Sequence, residues 1–280
     1  MLKRQLSTLH CQLQKAKSNT MFTIKNFDLS DVNTSPHSLE ILYGIFQNTL
    51  NPDLTEEEFT QYLFGLHPDS FDISFIYRED ELAGFATAAA YPRKVDGKKV
   101  VILRSAFGLL DSHKNGKFPL QSLFFKYILY KLKHLFTPVY VAGFMANPLM
   151  YAMICKYTLQ CYPRSNRKNP GKILALKNEL LKAMQLPGDE KDSFVLKIHF
   201  EVKFKPSDID RINQSQNPDV AYFLSINPRF REQYGVLVLV PVTIPNMAYT
   251  IIMYLCRPLK KLFKKQGKKK SVKKWQVAHS

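Results

Sequence analysis

Apolar positions along the chain change their spacing several times, and each change marks an element. Leu39, Leu42, Ile45, Phe46 and Leu50 recur on one helical face between Ser35-Pro36 and Asn51-Pro52, which predicts a helix. Thr55 with Glu58 three residues on spells a capping box, and Phe59, Tyr62 and Leu63 carry a second helix to Gly65. The period then drops to two. Ile73 to Tyr77 and Leu82 to Tyr91 read as strands joined by the polar turn Glu79-Asp80-Glu81. Asp96-Gly97 turns the chain into a third strand, Lys99 to Leu110, so the three form an antiparallel meander.

A basic loop, Asp111 to Phe118, follows the meander. Pro119 suits the first position of the next helix, where its missing N–H would have no partner anyway. That helix is predicted from Leu120 to about Phe136, with Leu123, Phe124, Tyr127, Ile128 and Leu132 inward. Pro138 to Phe144 is an apolar strand, and Asn147-Pro148 opens a helix through Met150, Tyr151 and Ile154. Strand, loop, helix, strand and helix in that order make a parallel crossover. After a loop from Arg164 to Gly171, a helix runs from Ile173 to Met184. Phe194 to Phe204 alternates strictly, so it should be a strand with one wet face, and Val236 to Thr243 is its candidate antiparallel partner. Ser207 to Asn213 reads as a short helix between them, and Met247 to Leu255 as an apolar helix.

Composition narrows the class without changing this picture. With 280 residues, 45% hydrophobic and 22% charged, the chain buries a sizeable core and is neither disordered nor a disulfide scaffold. Cys11, Cys155, Cys161 and Cys256 lack the spacing of a metal knuckle, so reduced thiols in a cytoplasmic setting are expected, with no metal. The formal charge of +17 is uneven: Arg257 to Ser280 holds ten basic residues and no acidic one, leaving +7 for the rest. Such an excess favours anionic partners. In the order Leu259, Lys260, Lys261, Leu262, Phe263, Lys264, Lys265 the apolar and cationic residues separate at helical spacing, as on a helix lying on an anionic membrane. A solvated tail, or one that binds RNA without sequence preference, is the competing reading of residues 257–274.

Two segments bear on targeting. Residues 1–20 carry Leu2, Leu6, Leu9 and Leu13 at helical spacing among basic residues, and read as a basic arm, a leader, or sequence upstream of a start at Met21. Gln233 to Cys256 is uncharged and long enough to cross a bilayer. Pro241, Pro245 and Asn246 interrupt it at mid-span, so a strand followed by a short helix accounts for it better than a membrane span.

Candidate chemistry gathers where the meander ends. Unpaired N–H groups at a helix start sit at the positive end of the helix dipole, so a basic loop feeding a helix suits a phosphate, and His113, Lys114 and Lys117 add charge there. An ordinary basic loop is the plain alternative. No Gly-x-Ser-x-Gly elbow, Walker loop, His-Glu-x-x-His helix or paired-cysteine motif is present.

In this order of elements, over Met21 to Pro163, the chain resembles the GCN5-related N-acetyltransferase superfamily. The resemblance implies an α+β fold with a mixed, mostly antiparallel twisted sheet and helices on both faces. It implies residues 21–163 as the acyltransferase core, 164–256 as a region completing the sheet, and 1–20 and 257–280 as basic appendages. It further implies transfer of an acyl group from a CoA-type thioester, used as cosubstrate, directly to an amine acceptor. Leu109 and Leu110 would line the pantetheine arm, and His113, Lys114, Asn115, Gly116, Lys117 and Phe118 would hold the phosphates. Asn147 would anchor the donor, and Tyr151 would protonate the departing thiolate, its phenol being near a thiol in pKa. Tyr151, among many apolar residues of its helix, also reads as a tyrosine packed between helix and sheet. The loop Lys114-Asn115-Gly116-Lys117-Phe118-Pro119 has one glycine, and a proline where the family pattern has another. That departure leaves open an acyl carrier protein or a longer acyl chain as donor, or a degenerate loop. By residue type the candidate bases are Glu40, Glu79, Asp80, Asp111 and His113, none preferred. The competing function is a non-catalytic protein of the same fold that docks on anionic membrane or RNA through its tail.

Overall fold

The computed structural model describes residues 23–27, 36–50, 54–64, 67–110, 112, 120–184, 186, 193–198, 204–254 and 256. The basic arm 1–20, the loop residues His113 to Phe118 and the tail 257–280 lie outside them.

Helix α1 (Pro36–Leu50) and α2 (Glu56–Phe64) form where the apolar spacing predicts them. The capping box closes on both sides: the Glu58 N–H donates to Thr55 Oγ1 at 3.2 Å and the Thr55 N–H to the Glu58 carboxylate at 2.8 Å. Strands β2 (Ser70–Arg78), β3 (Glu81–Val95) and β4 (Lys98–Arg104) make the meander. Both of its turns carry left-handed backbone, at Glu79 (φ 53) and Asp80 (φ 66) and at Asp96 (φ 49) and Gly97 (φ 74), as two-residue hairpin turns require. Outside β2 lies β1 (Thr23–Phe27), which the spacing did not predict. It is an edge strand of half-exposed, mixed residues, and the Ser74 hydroxyl donates to Asn26 across the pair at 2.6 Å.

The crossover is parallel, as expected. Helix α3 (Leu120–Lys133) leads to β6 (Val139–Met145), which pairs with β4 over Val101–Arg104. Lys131 ends α3 by donating to the carbonyls of His134, Leu135 and Thr137, so one buried ammonium caps the helix and shapes the turn into β6. Leu132, expected inward, is 51% exposed; the helix turns its Tyr127–Ile128 side to the sheet and Leu132 falls on the far side.

Helices α4 (Pro148–Tyr157), α5 (Gly171–Ala183), α6 (Pro206–Asn213) and α7 (Pro218–Ile226) follow, with β7 (Val195–Lys197) and β8 (Tyr234–Pro241). Helix α7 was not anticipated, although Asn217-Pro218-Asp219 is a legible start: the Asn217 side chain accepts from the Asp219 N–H at 2.9 Å. Of the predicted Phe194–Phe204 strand, Val195–Lys197 pairs with β8, and Phe194, Leu196 and Ile198 are buried on one face as the alternation requires. Residues 199–203 of that prediction lie outside the described residues.

Among the described residues the eight strands form one mixed, mostly antiparallel sheet in the order β1-β2-β3-β4-β6-β8-β7, with β5 (Phe107–Leu109) also on β3. The larger core packs α1, α2 and α4 to α7 on one face, through Leu42, Phe46, Phe59, Phe85, Ile102, Tyr151, Leu176 and Phe223. On the other face Val101, Leu103 and Val139 meet α3 and Met247 of the helix over 244–254, here α8. No described helix is long and apolar enough to cross a membrane.

Candidate functional site

The predicted third strand, Lys99 to Leu110, is built as two pieces. Arg104 pairs with Ala89 and Phe107 with Ala86, so the register against β3 carries through while Ser105 and Ala106 leave regular strand geometry. Thr87 causes the break. Its N–H donates to the Ala106 carbonyl at 2.8 Å, but the Ala106 N–H turns to the Thr87 hydroxyl, at 3.1 Å, instead of the backbone carbonyl.

The sheet divides at this point. β4 and β6 pair as far as Arg104 and Ala142. Beyond them β5 stays with β3, whereas Gly143 to Met145 pair with β8. Between the two ladders lies a gap in the strand pairing. Leu110 spends its N–H on the Ala83 carbonyl at 2.9 Å. By alternation, the N–H and carbonyl of Leu109 point away from β3, toward the gap. Close contact holds this wall in place: Gly84 lies against the Gly108 carbonyl and Leu109, and Gly108 against Thr49 and Phe85, with no room for a side chain at either glycine.

Asn147 stands at the end of the other wall. It is the N-cap of α4, accepting from the Leu149 N–H at 2.9 Å through Oδ1. Tyr151 does not face the gap. It is 0% exposed, its ring packs 5.4 Å from Phe223, and its hydroxyl donates to the Pro163 carbonyl at 2.8 Å. Burial pushes its pKa far above the usual phenol value, and neighbouring Cys155 adds to the rise. Of the two sequence readings, this geometry is that of the packed tyrosine: it ties α4 to the segment after it. Cys155 and Cys161, both buried, sit beneath it with sulfurs 3.5 Å apart. Their shared hydrogen bond lowers the pKa of Cys161 and raises that of Cys155, so they titrate as a pair.

A pocket open to solvent on one side lies beside the break on the α2 face of the sheet. Its polar lining is Tyr62, Thr87, Tyr91, Arg104 and Ser105, which the sequence reading did not select. The Arg104 guanidinium stands 5.0 Å from the Tyr62 ring centre and 5.7 Å from that of Tyr91. The Tyr91 hydroxyl donates to the Leu63 carbonyl at 2.9 Å, which fixes its ring, and burial raises its pKa while Arg104 acts against the rise. Below the break the Tyr127 hydroxyl is buried beside Ser105 without a well-formed hydrogen bond, and burial pushes its pKa up. No carboxylate or imidazole belongs to the described lining. Glu40 faces His37 at the surface, while Glu79 and Asp80 form an exposed hairpin turn. Asp111 and His113 are outside the described residues. Among those residues no cluster of potential metal ligands occurs.

No family model and no curated protein sequence matches the chain. Solved structures similar to it include a probable N-acyltransferase from Enterococcus faecalis V583, 12% identical over 50% of this chain, with a TM-score of 0.35; the match spans 32% of that protein. An aminoglycoside acetyltransferase from an uncultured soil metagenomic sample is 11% identical over 54% of this chain and 93% of its own, with a TM-score of 0.34. A GCN5-related glucosamine N-acetyltransferase region of a fungal multi-domain β-N-acetylglucosaminidase is 14% identical, with a TM-score of 0.38, and covers 75% of this chain and 24% of that one.

Proposed function

We propose that the chain transfers an acyl group from a CoA-type thioester to an amine by direct attack in a ternary complex. The observation that carries this reading is the division of the sheet after Arg104 and Ala142, which leaves a gap between two ladders where an extended thioester arm can lie against strand edges. In it, the outward-facing backbone of Leu109 pairs with the pantetheine amides, and the Asn147 side-chain amide, whose oxygen caps α4, donates to the same arm. His113, Lys114 and Lys117, with Asn115, Gly116 and Phe118, hold the phosphates ahead of α3. The amine enters from the open cavity on the α2 face. With no base in the described lining, the rate comes from positioning and from backbone donors facing the developing oxyanion, and the amine attacks in its neutral form.

Titration calorimetry with acetyl-CoA and with a long-chain acyl-CoA tests the donor half. Binding of at least one donor is expected, weakened about tenfold or more by each of Lys114→Ala and Lys117→Ala, since a charge-assisted contact contributes about 1.5–3 kcal/mol. Absence of heat with every donor rejects the reading.

A second reading concerns location. Ile244, Ala248, Ile251 and Ile252, spaced as one helical stripe, form the outward side of α8; Ile244 is 67% and Ile252 58% exposed. Such a stripe inverts the usual order for a surface helix. The ten cations of the tail begin directly after it, so the surface it fits is an anionic membrane. Flotation with liposomes containing phosphatidylserine is expected to fall with added salt, on deletion after Cys256, and on Ile252→Glu. Flotation indifferent to all three rejects the membrane role.

A further inference from the structure

We infer that the amine acceptor carries a carboxylate and that Arg104 reads it; this rests on the acyltransferase reading of the same site. Arg104 is the last residue of β4 before the sheet divides, and its side chain is on the α2 face, where the cavity opens. Two aromatic rings flank its guanidinium. Aromatic faces orient a cation without neutralising it, and they leave the donors at the guanidinium edge unused. No carboxylate among the described residues pairs with it.

A planar fork of donors is matched by an acceptor with two parallel oxygens. The cavity's charge selects between the two common anions of that shape. Arg104 is the one cation in the described lining, and the other polar groups are hydroxyls. One guanidinium balances a carboxylate and leaves a phosphate dianion half compensated. The pocket is open to solvent, so an acceptor reaches it from outside the protein. Seated on Arg104 by its carboxylate, such an acceptor presents its amine to the mouth of the gap beside Ser105.

The test separates this assignment from the donor question. Saturation-transfer NMR on the full chain uses alanine, phenylalanine and glutamate, each beside its α-carboxamide, with inorganic phosphate as competitor. The amino acids are expected to bind roughly 10- to 100-fold more tightly than their amides, a preference abolished by Arg104→Met and only partly kept by Arg104→Lys, which retains charge but not the fork. Acyl transfer followed by release of CoA thiol should then show a raised KM for the acids in Arg104→Met, with kcat little changed and the amides unaffected. Equal binding of acids and amides, absence of binding by the whole panel, or preferential binding of phosphate overturns the assignment. Each of these is read without a donor, so a protein that binds no acyl-CoA loses the acyltransferase reading on the calorimetry alone.

Discussion

Asn246→Ala is expected to cost at least about 3 kcal/mol, because one buried side chain there satisfies four backbone groups. Asn246 is 3% exposed. Its Oδ1 accepts from the N–H groups of Leu159, at 2.7 Å, and Gln160, at 3.2 Å. Its Nδ2 donates to the carbonyls of Gln160, at 2.9 Å, and Pro241, at 2.8 Å. The residue thereby ties the start of α8 to the end of β8 and to the segment after α4. Alanine leaves these groups buried without partners. At about 2–4 °C per kcal/mol, thermal unfolding should fall by at least about 6 °C. Asn246→Asp should do no better, since its carboxylate keeps the acceptor but faces two carbonyls. A change under 2 °C for either variant would show that α8 is held by its apolar contacts alone.

Gly84→Ala should reach the upper part of the about 1–3 kcal/mol typical of overpacking, and should also weaken donor binding about tenfold. A methyl at Gly84 meets the Gly108 carbonyl and Leu109. The Leu109 side chain can move aside, but the Gly108 carbonyl is backbone, so β5 must lift from β3 and carry the Leu109 edge with it. Gly44→Ala is the control. Gly44 lies in α1 with nothing near its Cβ position, and helix propensity predicts a gain of up to about 1 kcal/mol. Unchanged unfolding and donor affinity in Gly84→Ala would mean that the β5 wall is not rigid and does not position the donor.

The fold was legible wherever one local rule governed. The capping box at Thr55 and Glu58, the turns at Glu79-Asp80 and Asp96-Gly97, and Asn147 ahead of Pro148 depend on a few neighbouring residues, and each forms, the first turn one residue shorter than its polar run because Glu81 opens β3. The interruption of the uncharged stretch at Pro241, Pro245 and Asn246 was equally readable, and a strand and a short helix stand there. Elements whose burial is incomplete were less legible. The edge strand β1 has no clean alternation, and Leu132 fits a helical stripe that the sheet does not cover.

For the site, the amino-acid order by itself determined the meander and the crossover helix, because hydrophobic period and turn chemistry act within a few residues. Only the tertiary structure decided that the third strand breaks at Ser105-Ala106, that Tyr151 turns its hydroxyl to Pro163, and that Arg104 meets Tyr62 and Tyr91. Those outcomes depend on groups far apart in the chain. Thr87 competes for an N–H nineteen residues away, and α2 delivers Tyr62 onto Arg104, a residue of a distant strand. A periodicity reports which side of an element is buried; it carries no information about which distant partner arrives there.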